Sequence, residues 1–176
     1  MSILRFLGLG GPGPGREAEP DSLTEMVATL EAMSPEAARL AAAFAYLLAR
    51  VAGADLRTDE TEKNSMAERL AEFGEMDAEQ AAVLAETAIR ASTSHGATDD
   101  HLVARAFRDM TEPAERLRLL RCLYAVAAAD ETITTVEDNE IFEIATAIGV
   151  SRQDVVALRS EWKTYLGTMK ALPRER

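Results

Sequence analysis

The chain of 176 residues has one cysteine, few aromatic residues, and little glycine or proline after residue 35. The single thiol, Cys122, excludes a disulfide framework within one chain, which is the pattern of an intracellular protein. The scarcity of helix-breaking residues favours helix throughout the later part of the chain. Because the β-branched alternation of strands is nearly absent as well, the sequence predicts an all-α fold.

The sequence also lacks a long hydrophobic run. Its apolar start, "MSILRFLGLG", is shorter than the roughly 20 apolar residues that span a bilayer, and no convincing signal-peptide cleavage region follows it. The Gly- and Pro-rich stretch "GGPGPGREAEPD" suits neither helix nor strand. We therefore predict a flexible tail over residues 1–20, with weak amphipathic anchoring as the alternative, and a second tail over 171–176. The expected location is cytoplasmic, without stable membrane insertion.

Positive charge is scarce, because 19 Lys and Arg residues oppose 30 Asp and Glu residues and leave a net charge of −11. Such a surface repels nucleic-acid phosphates and anionic lipid headgroups, so nucleic acid is not an expected partner. It suits cations or basic protein partners, although solubility is the commoner reason for acidity.

Helix-start signals divide the chain from residue 21 onward. Ser34 precedes Pro35, and Asp77 precedes Gln80 in a capping-box pattern. Apolar residues follow these starts at helical spacing, so we predict seven or eight helices in one domain over 21–170. The last helix is expected to bury five residues: Val155, Leu158, Trp162, Tyr165 and Leu166.

An internal repeat organises this domain. "VAGADLRTDETEKNSMAERLAEFGEM" begins at Val51, and "VAAADETITTVEDNEIFEIATAIGVS" begins at Val126, 75 residues later. Eight positions are identical at this offset, including Asp55 with Asp130 and Glu62 with Glu137. We predict two halves, about 35–94 and 111–168, packed about a pseudo-two-fold axis.

The repeated acids are the candidate site. If the helices extend that far, their spacing places Asp55, Glu62, Asp130 and Glu137 at the ends of core-facing stripes. Carboxylates taken out of water need a partner, and oxygen ligands suit a hard divalent cation. The acids do not form an EF-hand, since a glutamate follows its aspartate by seven residues rather than eleven.

Structural roles are the alternative for the same acids. Each glutamate stands three residues after an N-cap residue, Asp59 or Thr134, and can bond back to that residue's backbone N–H. The aspartates can bond backbone N–H groups in the connectors. A glutamate can also cap with one oxygen and bind a cation with the other, so both readings stay open.

The segment from about Arg39 to Trp162 resembles the TerB-like family, named for bacterial tellurite resistance. "LLRCLYAVAAADETITTVEDNEIFEIATAIGVSRQDVVAL" and the weaker copy "YLLARVAGADLRTDETEKNSMAERLAEF" carry the resemblance. The family pattern has glycine after each aspartate, where this chain has Leu56 and Glu131, and Thr58 replaces a connector isoleucine. The resemblance implies an all-helical pair of repeats whose acids form a metal-binding or charged cluster.

Together, these features predict a non-enzymatic helical domain that binds a divalent cation, with Ca²⁺, Mg²⁺ and Zn²⁺ all open. The resemblance alone suggests a metal-stress (tellurite-type) or envelope-stress role. The first alternative is a metal-free interaction module with a protein partner or self-association. A weaker alternative is a metal-dependent hydrolase, although no nucleophile–base pair is evident.

Overall fold

A computed structural model of the chain describes residue 30 and residues 32–54, 59–94 and 97–167. The predicted tails, 1–20 and 171–176, lie outside these residues, as does Asp55. Seven helices occupy the described part: α1 (Pro35–Ala52), α2 (Glu60–Gly74), α3 (Ala78–Ser94), α4 (Ala97–Met110), α5 (Pro113–Ala127), α6 (Thr135–Ala147) and α7 (Arg152–Glu161). No strand occurs among them, and the all-α prediction is confirmed.

The helices begin where the sequence places their caps. Ser34 Oγ accepts a hydrogen bond from the Ala37 backbone N–H at 3.2 Å. Asp77 Oδ1 accepts one from the Gln80 backbone at 2.9 Å, and Gln80 returns a bond to the Asp77 N–H. Because these bonds satisfy N–H groups that the helix itself leaves unpaired, they fix the first turns of α1 and α3.

Helix α1 is the centre of the bundle. Its nine consecutive residues at positions 41–49 are all buried, and it contacts α2, α3, α4, α5 and α6. The sequence suggested a one-sided apolar stripe on this helix. The structure differs, because small alanines lie between the large side chains and let neighbouring helices approach from every side.

The C-terminal region also departs from the expectation. Helix α7 ends at Glu161, so Tyr165 and Leu166 lie beyond it, and Tyr165 is exposed. The chain instead turns back to the α5–α6 connector. Ile133 donates its backbone N–H to the Tyr165 carbonyl at 2.8 Å, and Gly167 donates to the Ile133 carbonyl at 2.9 Å. This isolated bridge buries Leu166 without a helix.

Contacts between the predicted halves follow the offset of 75. Arg50 on α1 pairs with Glu140 on α6. Adding 75 to position 50 and subtracting it from position 140 gives Ala125 and Ser65. The Ser65 hydroxyl donates to the Ala125 carbonyl at 3.4 Å. Contacts of this kind support the repeat; superposition of the two halves stays a prediction.

Candidate functional site

Glu62 is the first acidic residue that the fold buries. It is the third residue of α2, and its Oε2 accepts the Asp59 backbone N–H at 3.0 Å. Its own backbone N–H donates to Asp59 Oδ1 at 2.8 Å, which completes a capping box. The residue is only 5 % exposed, so this local cap sets the position of a carboxyl group inside the core.

Glu137 repeats this arrangement at the start of α6. Its Oε2 accepts the Thr134 backbone N–H at 2.7 Å, and its own N–H donates to the Thr134 hydroxyl at 3.2 Å. It is 3 % exposed. The predicted capping role of both glutamates is therefore present, and in each case the cap uses Oε2.

The two glutamates meet in the core. A side-chain hydrogen bond joins Glu62 to Glu137. Burial raises the pKa of Glu62 to about 8, and the hydrogen bond and negative charge of Glu137 raise it further than the Asp59 cap lowers it. Two carboxylates cannot donate to each other, so the pair holds a proton at neutral pH. The fold thus joins acids from both predicted halves, 75 residues apart.

Asp130 does not share this burial. Helix α5 ends at Ala127, so Asp130 follows in a turn rather than on the inward stripe that an extended helix would have given it. Its side chain is exposed, and Oδ1 accepts the Thr132 backbone N–H at 2.9 Å. This bond is the connector role that the sequence left as the alternative for the aspartates. Of the four candidate ligands, two come together, one lies outside, and Asp55 lies outside the described residues.

The donors gathered in the structure are few. Within residues 30, 32–54, 59–94 and 97–167, no group of three or more His, Cys, Asp or Glu side chains is arranged to hold a metal ion. A divalent cation therefore has two buried carboxyl groups available here. Any further ligand has to come from the connectors that carry Asp130 and Asp55.

Glu131 occupies a left-handed backbone conformation, with φ of 69°. This position follows Asp130, where the family pattern has glycine. A side chain in this region costs roughly 1–2 kcal/mol, which glycine avoids at the cost of greater freedom when unfolded.

We predict that Glu131→Gly stabilises the fold by about 0.5–1 kcal/mol, because it relieves this strain. Chemical denaturation with far-UV circular dichroism measures the change. Glu143→Gly is the control of opposite sign, since Glu143 lies exposed within α6 and glycine there is expected to cost about 1 kcal/mol. A destabilised Glu131→Gly protein would show that the turn is not strained.

A second buried acid, Asp138, was missed by sequence reasoning. It directly follows Glu137, and both of its oxygens accept bonds from Arg159 on α7, at 2.6–2.9 Å. The hydroxyl of Tyr124 lies 3.4 Å from Asp138 Oδ1. Burial and the Asp138 charge raise the pKa of Tyr124, so this phenol stays protonated. The cluster fixes α7 against α6 beside the glutamate pair.

The structure so far defines a class: an all-α domain in which two capped helix starts bring a protonated carboxyl pair into the core. The family model described as "Tellurite resistance protein TerB" matches residues 39–160. The match covers most of the chain, which therefore belongs to the TerB family. No curated protein and no solved structure matches the chain. Across the described residues, no helix has both the length and the apolar character needed to cross a membrane.

Proposed function

We propose that this TerB domain is a non-enzymatic, cytoplasmic module that binds a divalent cation through acidic residues from both halves. The supporting observation is the contact between Glu62 and Glu137 in the core. A carboxyl pair that shares a proton is a place where a cation can replace that proton and remove the repulsion between two charges.

The ligand set of the proposal is Asp55, Glu62, Asp130 and Glu137. The glutamates fit, because each keeps its capping bond on Oε2 and still faces the other glutamate. Asp130 fits only if its carboxylate leaves the Thr132 N–H for the pair. Oxygen-only donors favour hard cations such as Ca²⁺ or Mg²⁺ over Zn²⁺, which prefers nitrogen and sulfur. A role in metal-stress or envelope-stress response rests on the family description alone.

The competing function is a metal-free interaction module. One observation favours it: the glutamates cap their helices, and Asp130 holds its own connector, so these acids have bonding roles without a cation. In that case the acidic surface would serve a protein partner or self-association.

Thermal unfolding with added cations distinguishes these functions. If the site binds, free cation at a hundred times its Kd is expected to stabilise the fold by roughly 2.7 kcal/mol. We predict that Asp130→Asn and Glu137→Gln both abolish this gain, because each removes a ligand charge while keeping an oxygen that can accept the local backbone bond. Melts in chelator and in millimolar Ca²⁺, Mg²⁺ or Zn²⁺ provide the measurement.

The matched control is Glu131→Gln, which neutralises the exposed neighbour of Asp130 and should keep the full cation effect. An unchanged wild-type melt with every cation would eliminate the metal site and leave the interaction module. A full effect in Asp130→Asn would remove Asp130 from the ligand set.

A further inference from the structure

A polar pocket of about 280 Å³ lies apart from the glutamate pair, where α1 and α3 end and α4 begins. Its lining includes Arg50, Gly53, Ser92, Thr93, Asp100 and Glu140. Four helices thus contribute to it, and the proposed cation ligands do not.

Negative charge exceeds positive charge on the described walls of this pocket. Arg50 pairs with Glu140 and lies 3.6 Å from Asp100, so one guanidinium faces two carboxylates. All three side chains are mostly buried, at 12–24 % exposure. Burial raises the pKa of Glu140 although Arg50 acts to lower it, which indicates that Arg50 does not fully compensate the buried charge.

Hydrogen-bond acceptors add to this charge. Ser92 and Thr93 donate their hydroxyl hydrogens to the Ile89 carbonyl at 3.0 and 3.2 Å, and a hydroxyl that donates keeps lone pairs that can accept. The C-terminal ends of α1 and α3 carry the negative ends of their helix dipoles. The pocket therefore favours a positively charged N–H donor.

The second half of the chain has no such opening at the equivalent place, if the predicted repeat is used to align the halves. The offset of 74 that matches Asp77 with Ser151 places Leu166 and Gly167 at the positions of Ser92 and Thr93. Leu166 is buried, and the neighbouring Gly167 lies against the α5–α6 connector. The first half has hydroxyls where the second half has packed apolar chain, so the pocket is specific to the first half.

We propose that this pocket binds a primary ammonium group, carried by a small free amine or by a lysine side chain of a protein partner. An ammonium has three N–H donors for the carboxylates and hydroxyls, and it adds the positive charge that the walls lack. A metal ion suits the pocket less well, because the described residues contain no cluster of three or more metal-ligating side chains.

Titrations followed by ¹H–¹⁵N NMR test the proposal. The probes are methylammonium, 1,4-diaminobutane and Nα-acetyl-lysine amide, with tetramethylammonium as the control that has the charge but no N–H donor. We expect saturable shifts at the backbone amides of Gly53, Ala54, Ser92 and Thr93 with the three ammonium probes only. Tighter binding of the lysine amide would indicate a protein partner, and tighter binding of the diamine a free amine.

Glu140→Gln should weaken binding by about tenfold or more, because it removes a charge-assisted bond. Glu143→Gln, one turn further along the exposed face of α6, is its matched control and should bind like wild type. Ser92→Leu copies the second half and should abolish binding without changing the charge. The proposal is overturned if wild type gives no saturable shift, if tetramethylammonium binds equally, or if Glu140→Gln binds as tightly as Glu143→Gln.

Discussion

In chelator, the wild-type protein is expected to lose stability as the pH rises from 5 to 9, by several kcal/mol in total. The group responsible is Glu62, whose pKa in the fold is about 8 against an ordinary value of 4.5. Between these two values the folded state holds a proton that the unfolded chain releases. The free energy of unfolding therefore falls with pH, by at most about 1.4 kcal/mol per unit.

The sign follows from proton linkage. The stability that the Glu62 proton contributes is fully present below pH 4.5, and it is lost as the pH rises through about 8. Above that pH, both carboxylates are charged in the core and repel each other. Denaturant unfolding at a series of pH values measures the slope directly.

Glu62→Gln is the informative variant, because its amide cannot ionise and can still accept the Asp59 cap. We expect it to be more stable than wild type above pH 8, and the difference between the two proteins should shrink toward pH 5. Glu68→Gln changes an exposed carboxyl on the same helix and should follow wild type. Parallel pH profiles for wild type and Glu62→Gln would contradict the shared proton.

The second large effect concerns the aromatic contact at the centre of the bundle. Phe44 on α1 is fully buried, and its ring stacks on Phe73 of α2 with centroids 3.9 Å apart. Phe107 of α4 approaches from another side at 6.4 Å. We expect Phe44→Ala to cost about 3–5 kcal/mol, since the cavity left in the core cannot be refilled from three separate helices.

Chemical denaturation measures this cost, and Val136→Ala is the control, because Val136 is exposed on α6 and its truncation should change stability by no more than about 0.5 kcal/mol. Phe73→Ala should lie between the two, since Phe73 is only half-buried beneath the Arg118 guanidinium. If Phe44→Ala proved as mild as Val136→Ala, the packing around α1 would have to be looser than the structure describes.

The helix starts and the capping glutamates were predictable from the sequence. Asp59 with Glu62, Asp77 with Gln80, and Thr134 form hydrogen bonds that span three residues. Interactions of this range are encoded locally, because a residue three positions ahead is in reach as soon as the first turn forms. The family resemblance depends on the same local patterns, and the match over residues 39–160 confirms it.

Helix ends were less predictable than helix starts. The spacing that placed Asp130 on an inward stripe assumed that α5 continues past Ala127, and the structure ends it there. The same assumption placed Tyr165 and Leu166 in the last helix, although α7 ends at Glu161. No proline or glycine marks either end, so the sequence contains no strong stop signal at these points.

What only the tertiary structure decided is which of these residues touch. Sequence alone established that the acidic device occurs twice, and that each glutamate caps a helix start. The meeting of Glu62 with Glu137, and of Arg50 with Glu140, joins positions 75 and 90 residues apart. Such contacts depend on how the helices cross around α1, and crossing angles follow from packing of side chains across the whole core rather than from any local pattern.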